Sequence, residues 1–206
     1  MGFITSILDA IRRIGSPTQQ SALKRQDAYL TGKTVTDRRR EVARSSLGTT
    51  ESFVATIERV PETIRPFNEE EIRAIEDNSA LLPEFFRVFL GHSLEAAGPG
   101  DFDAAFASWA ASANRGGYDD EAVVQILGAA FGQYCARTLH MRWVVITDQH
   151  GSAAALRGIK KDYRSFPFHA IWKRIRDREQ GFFEPIYISL EAASRKDHAA
   201  VTSADP

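Results

Sequence analysis

Asp148 and His150 lie two residues apart in the run TDQHG, and Lys173 and Arg174 lie side by side in the run FPFHAIWKR. A carboxylate close to an imidazole can orient the ring and stabilise its charged form, which is the arrangement a general base needs. A lysine or arginine nearby can stabilise a developing oxyanion. In a tight turn, however, the same aspartate is selected for hydrogen bonds to the turn's own backbone, and that is the commoner use. Trp143, Arg157 and His169 flank these groups in sequence. Aromatic walls with convergent cations suit a carboxylate or another anionic group. The candidate functional surface is therefore Trp143, Asp148, His150, Arg157, His169, Lys173 and Arg174, with Asp148 as a candidate ion-pair partner for the Lys173 and Arg174 pair.

Other chemistries have less support. The five histidines, His92, His140, His150, His169 and His198, share neither HxH nor HxxxH spacing, so no metal or other cofactor is expected. No GxSxG elbow occurs, and the single cysteine, Cys135, lies in an apolar helical run and points to a reducing compartment. TGKT at residues 31–34 lacks the upstream glycine and the preceding apolar strand of a phosphate loop, which excludes nucleotide binding there.

The elements that must position these groups can be read from the apolar spacing. Phe3, Ile4, Ile7, Leu8, Ile11 and Ile14 make one stripe of a short amphipathic helix, residues 1–15. Residues 16–65 are polar and read as a linker with short helices. From Pro66 onward helices are predicted with Asn68 as the cap of the first, a second over Leu82 to Ala96, a third capped by Asp101, and a fourth beginning at Asp119. Phe102, Ala105, Phe106 and Trp109 recur at core spacing on the third. Gly128 and Gly132 share a face of the fourth, and the close approach they allow is expected to seat a hairpin of Met141–Thr147 and Ser152–Gly158. A third short strand ends near Phe166, Pro167 opens a helix with Ile171, Trp172 and Ile175 inward, and a last amphipathic segment covers Phe182–Ala193. The tail, residues 194–206, is expected to be disordered. The fold class that follows is α+β: an N-terminal helical region, a helix, a small antiparallel sheet of two or three strands, and two C-terminal helices. Residues 66–193 form its compact domain.

The runs LGAAFGQY, RWVVITDQHGSAAALRG, FPFHAIWKRI and GFFEPIY resemble an uncharacterised bacterial family, a domain of unknown function, over about residues 119–190. The positions that carry the resemblance are Gly128, Gly132, Trp143, Asp148, Gly151, Phe166, Pro167, Lys173 and Arg174. The resemblance implies a bacterial origin and a compact α+β domain. It implies no activity, cofactor or catalytic residue.

Formal net charge is -1, but it divides into +4 over residues 1–65, -9 over 66–121 and +4 over 122–206. With no broad basic field, no nucleic-acid partner is expected. No apolar run approaches the length of a membrane span, so a cytoplasmic location is the default; membrane-surface contact through Phe3, Ile7 and Ile11 is the weaker alternative. The missing catalytic signature, the acidic middle and the amphipathic ends favour a non-enzymatic protein–protein interaction module of immunity or accessory type, with a protein partner. The alternative is a small hydrolase using Asp148 and His150 with Lys173 or Arg174.

Overall fold

The order of elements follows from where the apolar residues fall. The structure is a computed structural model that describes residues 35–57, 61–93, 97–149, 151–159 and 163–202. The N-terminal helix expected over residues 1–15 lies outside the described residues. Among the described residues six strands occur: β1 (Val35–Ser45), β2 (Gly48–Ile57), β3 (Thr63–Pro66), β4 (Arg142–Asp148), β5 (Gly151–Arg157) and β6 (Arg164–Ser165). Six α-helices accompany them among the described residues: α1 (Glu69–Ser79), α2 (Leu82–Leu90), α3 (Pro99–Ala111), α4 (Asp120–Thr138), α5 (Pro167–Asp177) and α6 (Phe183–Thr202). The molecule is α+β, with a separate β1–β2 hairpin and a four-stranded antiparallel sheet in the order β3-β4-β5-β6.

Helix α4 is the axis of the core. Every residue from Val123 to Gly132 is buried, and the helix contacts α1, α2, α3 and α5. A helix that is apolar on all sides has to be enclosed in this way. Around it Phe85, Phe86, Phe102, Phe106, Trp109 and Phe183 are almost fully buried. Their rings meet largely edge to face, as Phe102 does with Phe131 and Phe106 does with Phe182, the arrangement that the ring quadrupole favours. The two glycines on α4 let α5 and β4 come close. An added Cβ at Gly128 would meet the Phe168 ring, and one at Gly132 would meet the Trp143 indole.

In β4 and β5 the alternation sends side chains to two covered faces. Val145, Ala154 and Leu156 join the main core, while Val144, Ile146 and Ala155 form a small second cluster against Ile64 and Phe166. Asp103 joins distant elements from α3: its carboxylate accepts the N–H groups of Phe183 at 2.9 Å and Glu184 at 3.0 Å, which caps the start of α6.

The structure differs from the sequence expectations in five places. Over residues 35–57 the polar segment is a β-hairpin, not a linker with helical pieces. In β1 half-buried Glu41, Ala43 and Ser45 alternate with exposed Val42 and Arg44, so the apolar residue faces outward and hydrophobic periodicity misleads. The sheet has four strands because Thr63–Pro66 pairs with Val144–Thr147. The second helix ends at Leu90, where Gly91 adopts the left-handed conformation (φ 80°) and stops it well before Ala96. The third is capped at Gly98, and Asp101 sits inside its first turn, accepting the Gly98 N–H at 2.8 Å. Finally, the backbone of α6 continues through Ser194 to Thr202 rather than ending in a disordered tail. Buried Ser194 donates its hydroxyl to the Leu139 carbonyl and Arg195 pairs with Glu191, both of which extend the helix.

Candidate functional site

Helix α5 presents two faces of opposite character. Ile171 and Trp172 are buried, while His169, Ala170, Lys173 and Arg174, at spacings of four along the helix, share a half-buried face. That face lines a cleft of about 800 Å³ whose far wall is the first half of α6 and whose rim is Thr50 and Glu51 of β2. Phe166, Phe182, Pro185, Ile186 and Leu190 supply its apolar surface. Phe182, Ile186 and Leu190 recur every four residues, so one stripe of α6 faces the cleft. The hairpin is held at the rim by Glu191, whose carboxylate accepts the Ser46 N–H and hydroxyl at 3.0–3.1 Å. Those bonds and the nearby Arg195 hold the Glu191 carboxyl below its ordinary pKa, against an opposing desolvation that is the largest single influence.

Three cations line the cleft, and two have internal partners. Arg164 donates both terminal nitrogens to the Glu62 carboxylate, at 2.8 and 2.6 Å. Arg178 takes the left-handed conformation (φ 56°), and Gly181 does so at φ 67°, so the chain reverses between α5 and α6. This reversal returns Glu179 to Arg174, with Nε 2.9 Å from Oε2, while the Arg174 guanidinium stands 5.4 Å from the centre of the Phe182 ring. Among the described residues Lys173 is in no ion pair.

The seven candidate residues therefore divide. His169, Lys173 and Arg174 line the cleft; Trp143, Asp148 and Arg157 do not. The sequence makes Asp148 a candidate partner for one of Lys173 and Arg174; Arg174 pairs instead with Glu179, which the turn after α5 brings back to it. Trp143 is a packing residue: it stacks on Phe67 with centroids 5.4 Å apart and donates its indole N–H to Gln133 Oε1 at 3.2 Å. Asp148 closes β4 opposite Gly151, and Arg157 ends β5 opposite Arg142 and Arg164. His150 lies outside the described residues. Sequence reasoning missed Glu179, Phe182 and the α6 stripe as parts of a site, although the four-residue repeat of Phe182, Ile186 and Leu190 was a visible signal.

Elsewhere the reactive groups are occupied structurally. Burial raises the Cys135 thiol far above its ordinary pKa, which keeps it protonated. A shallower acidic depression contains Asp119 and Asp120, but Asp119 caps α4 through the Ala122 N–H and Asp120 pairs with Arg115. Among the described residues no three His, Cys, Asp or Glu side chains are grouped closely enough to hold a metal ion.

Most of the cleft belongs to the C-terminal half, and this is where comparison with known proteins finds a match. Residues 107–187 match the family model of a domain of unknown function (DUF3806). The resemblance read from the sequence, to an uncharacterised family, thus stands. The matched segment runs from the end of α3 into α6, so it contains β6, all of α5 and the Arg174–Glu179 pair, but neither the hairpin rim nor Leu190. No curated protein matches the sequence. A crystal structure from Bacteroides thetaiotaomicron VPI-5482 at 1.50 Å is similar over 87% of this chain and 78% of its own, at 12% identity with a TM-score of 0.46. That likeness is too remote to carry fold or function.

Proposed function

We propose that the protein is a non-enzymatic protein–protein interaction module and that the cleft between α5 and α6 is its recognition surface. The observation that carries this reading is the composition of the cleft: an aromatic and aliphatic wall faces Lys173, Arg174 and His169. Apolar surface with a few oriented polar groups is what a binding site presents. Two helices supply opposite walls of the cleft, and the turn joining them is fixed by the Arg174–Glu179 pair, so the cleft is formed before a partner arrives.

The hydrolase alternative draws less support from the same geometry. It requires Asp148 to work with Lys173 or Arg174, yet Asp148 does not line the cleft that those cations share. Attachment to a membrane surface rests on the N-terminal stripe that includes Phe3, Ile7 and Ile11 and on the nearby arginines, and that stripe lies outside the described residues. Among the described residues no helix is long and apolar enough to cross a membrane.

The test is site-specific photocrosslinking in the native cell. A photoreactive amino acid at Ala170 should yield one dominant protein adduct, which an Ile186→Trp substitution filling the cleft removes. The same group at Ile72, exposed on α1 and outside the cleft, should not yield it. If Ala170 gives no protein adduct while the tagged chain remains folded, the interaction reading fails.

A further inference from the structure

The cleft's charges define its partner more narrowly, and the inference rests on the interaction reading above. Arg164 is matched by Glu62 and Arg174 by Glu179, each through close ion pairs. Arg174 is also fixed against Phe182, so moving it toward a ligand would break two contacts. Lys173 lies one helical turn beyond His169 on the same cleft wall and is in no ion pair among the described residues. An ammonium group on a four-carbon stem is a mobile point charge that can meet an acid without fixed bidentate geometry. Across the cleft half-buried Ile186, flanked by the edges of the buried Phe182 and Leu190, offers an apolar surface. A volume of about 800 Å³ is that of a site for a few side chains, not for a folded domain.

We infer that the cleft binds a short acidic–apolar peptide segment of a partner protein, placing a carboxylate on Lys173 and an adjoining large apolar side chain against Phe182, Ile186 and Leu190. Charge complementarity selects the acid at this point of the wall, since Arg164 and Arg174 are matched by Glu62 and Glu179 and Lys173 is the lining cation in no ion pair among the described residues. The apolar neighbour supplies burial, which an exposed ion pair alone does not. The Arg174–Glu179 pair stays intact and keeps the two walls in place.

The test uses the full chain. A random heptapeptide display library is selected on it, and the enriched peptides are synthesised with a fluorescent label for polarisation titrations. The expected outcome is enrichment of Asp or Glu beside Phe, Trp, Leu or Ile. Lys173→Glu should then weaken binding at least tenfold, Lys173→Arg should retain it to within about threefold, and a Lys in place of the peptide's acid should restore binding to Lys173→Glu. Thermal melts of both variants should stay close to the parent, because Lys173 is in no ion pair among the described residues and its charge acts on Asp177, one turn on and exposed, through solvent. Peptides enriched without an acid, or acidic peptides indifferent to Lys173→Glu, would overturn the inference. Should no peptide bind while crosslinking from Ala170 still yields the single adduct, this inference falls and the interaction reading stands. Should both fail, both fall.

Discussion

Gly128→Ala is the sharpest test of how the site is built, because two opposing effects can be weighed there. In an isolated helix the substitution would stabilise by about 1 kcal/mol, since glycine loses more backbone freedom than alanine. In this protein the new methyl would lie 2.5 Å from Phe168 Cδ1, 2.9 Å from Cε1 and 3.2 Å from Cγ, where ordinary contact begins near 3.4 Å. Phe168 is 2% exposed, with Trp143 6.0 Å away centre to centre. Since ring atoms along one edge are all too close, rotating the ring does not clear the methyl; Phe168 or α5 has to move by about 1 Å. Overpacking of that kind costs about 1–3 kcal/mol, and a rigid, enclosed ring puts this case at the upper end. The net expectation is a loss of about 2 kcal/mol. With a urea slope of about 2.5 kcal/mol/M for a chain of this size, the unfolding midpoint should fall by about 0.8 M. Circular dichroism in urea reads this directly. Gly128→Ala should also couple to Phe168→Leu, the double variant losing less than the two single losses combined. A midpoint equal to or above that of the parent would refute the claim that close approach, rather than chance, places glycine at this position.

Other expectations follow from single groups. Glu71 is buried, accepts both Arg65 terminal nitrogens at 2.7 and 2.5 Å, and accepts the Asn68 N–H at 2.8 Å; the Arg65 bonds foremost hold its carboxyl below the ordinary value. A lowered folded-state pKa means stability that is complete above the unfolded value, about 4.3, and lost as pH falls through the lowered one. Glu71→Gln should therefore lower stability at pH 7, by about 1–3 kcal/mol, and flatten the acid limb of a pH–stability curve; an unchanged limb would contradict this. Asp103→Ala removes both acceptors at the start of α6 and should cost about 1–2 kcal/mol in urea, with Asp103→Asn losing less because its one amide oxygen can still cap. Cys135 should resist a thiol-reactive chromogen in the native state at pH 8 and react fully in denaturant; native-state reaction at the rate of free cysteine would show that its burial is wrong.

What the sequence could show depended on how local each cause was. The Asn68 capping box, the Asp119 cap and the buried run of α4 are set within one or two helical turns, and each was readable from residue type and spacing. So was the reason for Gly128 and Gly132, although not which rings they seat. The β1–β2 hairpin was missed because Val42 points outward while Glu41, Ala43 and Ser45 face inward, the reverse of the pattern that marks a strand. The cleft was missed for a different reason. Its walls come from β2, β6, α5 and α6, and their meeting depends on the left-handed Arg178 turn and on Asp103 and Glu191 reaching across to other elements. A left-handed arginine leaves no signature in composition, as glycine would have done. Yet that one backbone conformation decides the site: it returns Glu179 to Arg174 and makes that arginine a structural member of the wall. The adjacent Lys173, identical in charge, is in no ion pair among the described residues, which is why the proposed carboxylate is placed on it rather than on Arg174.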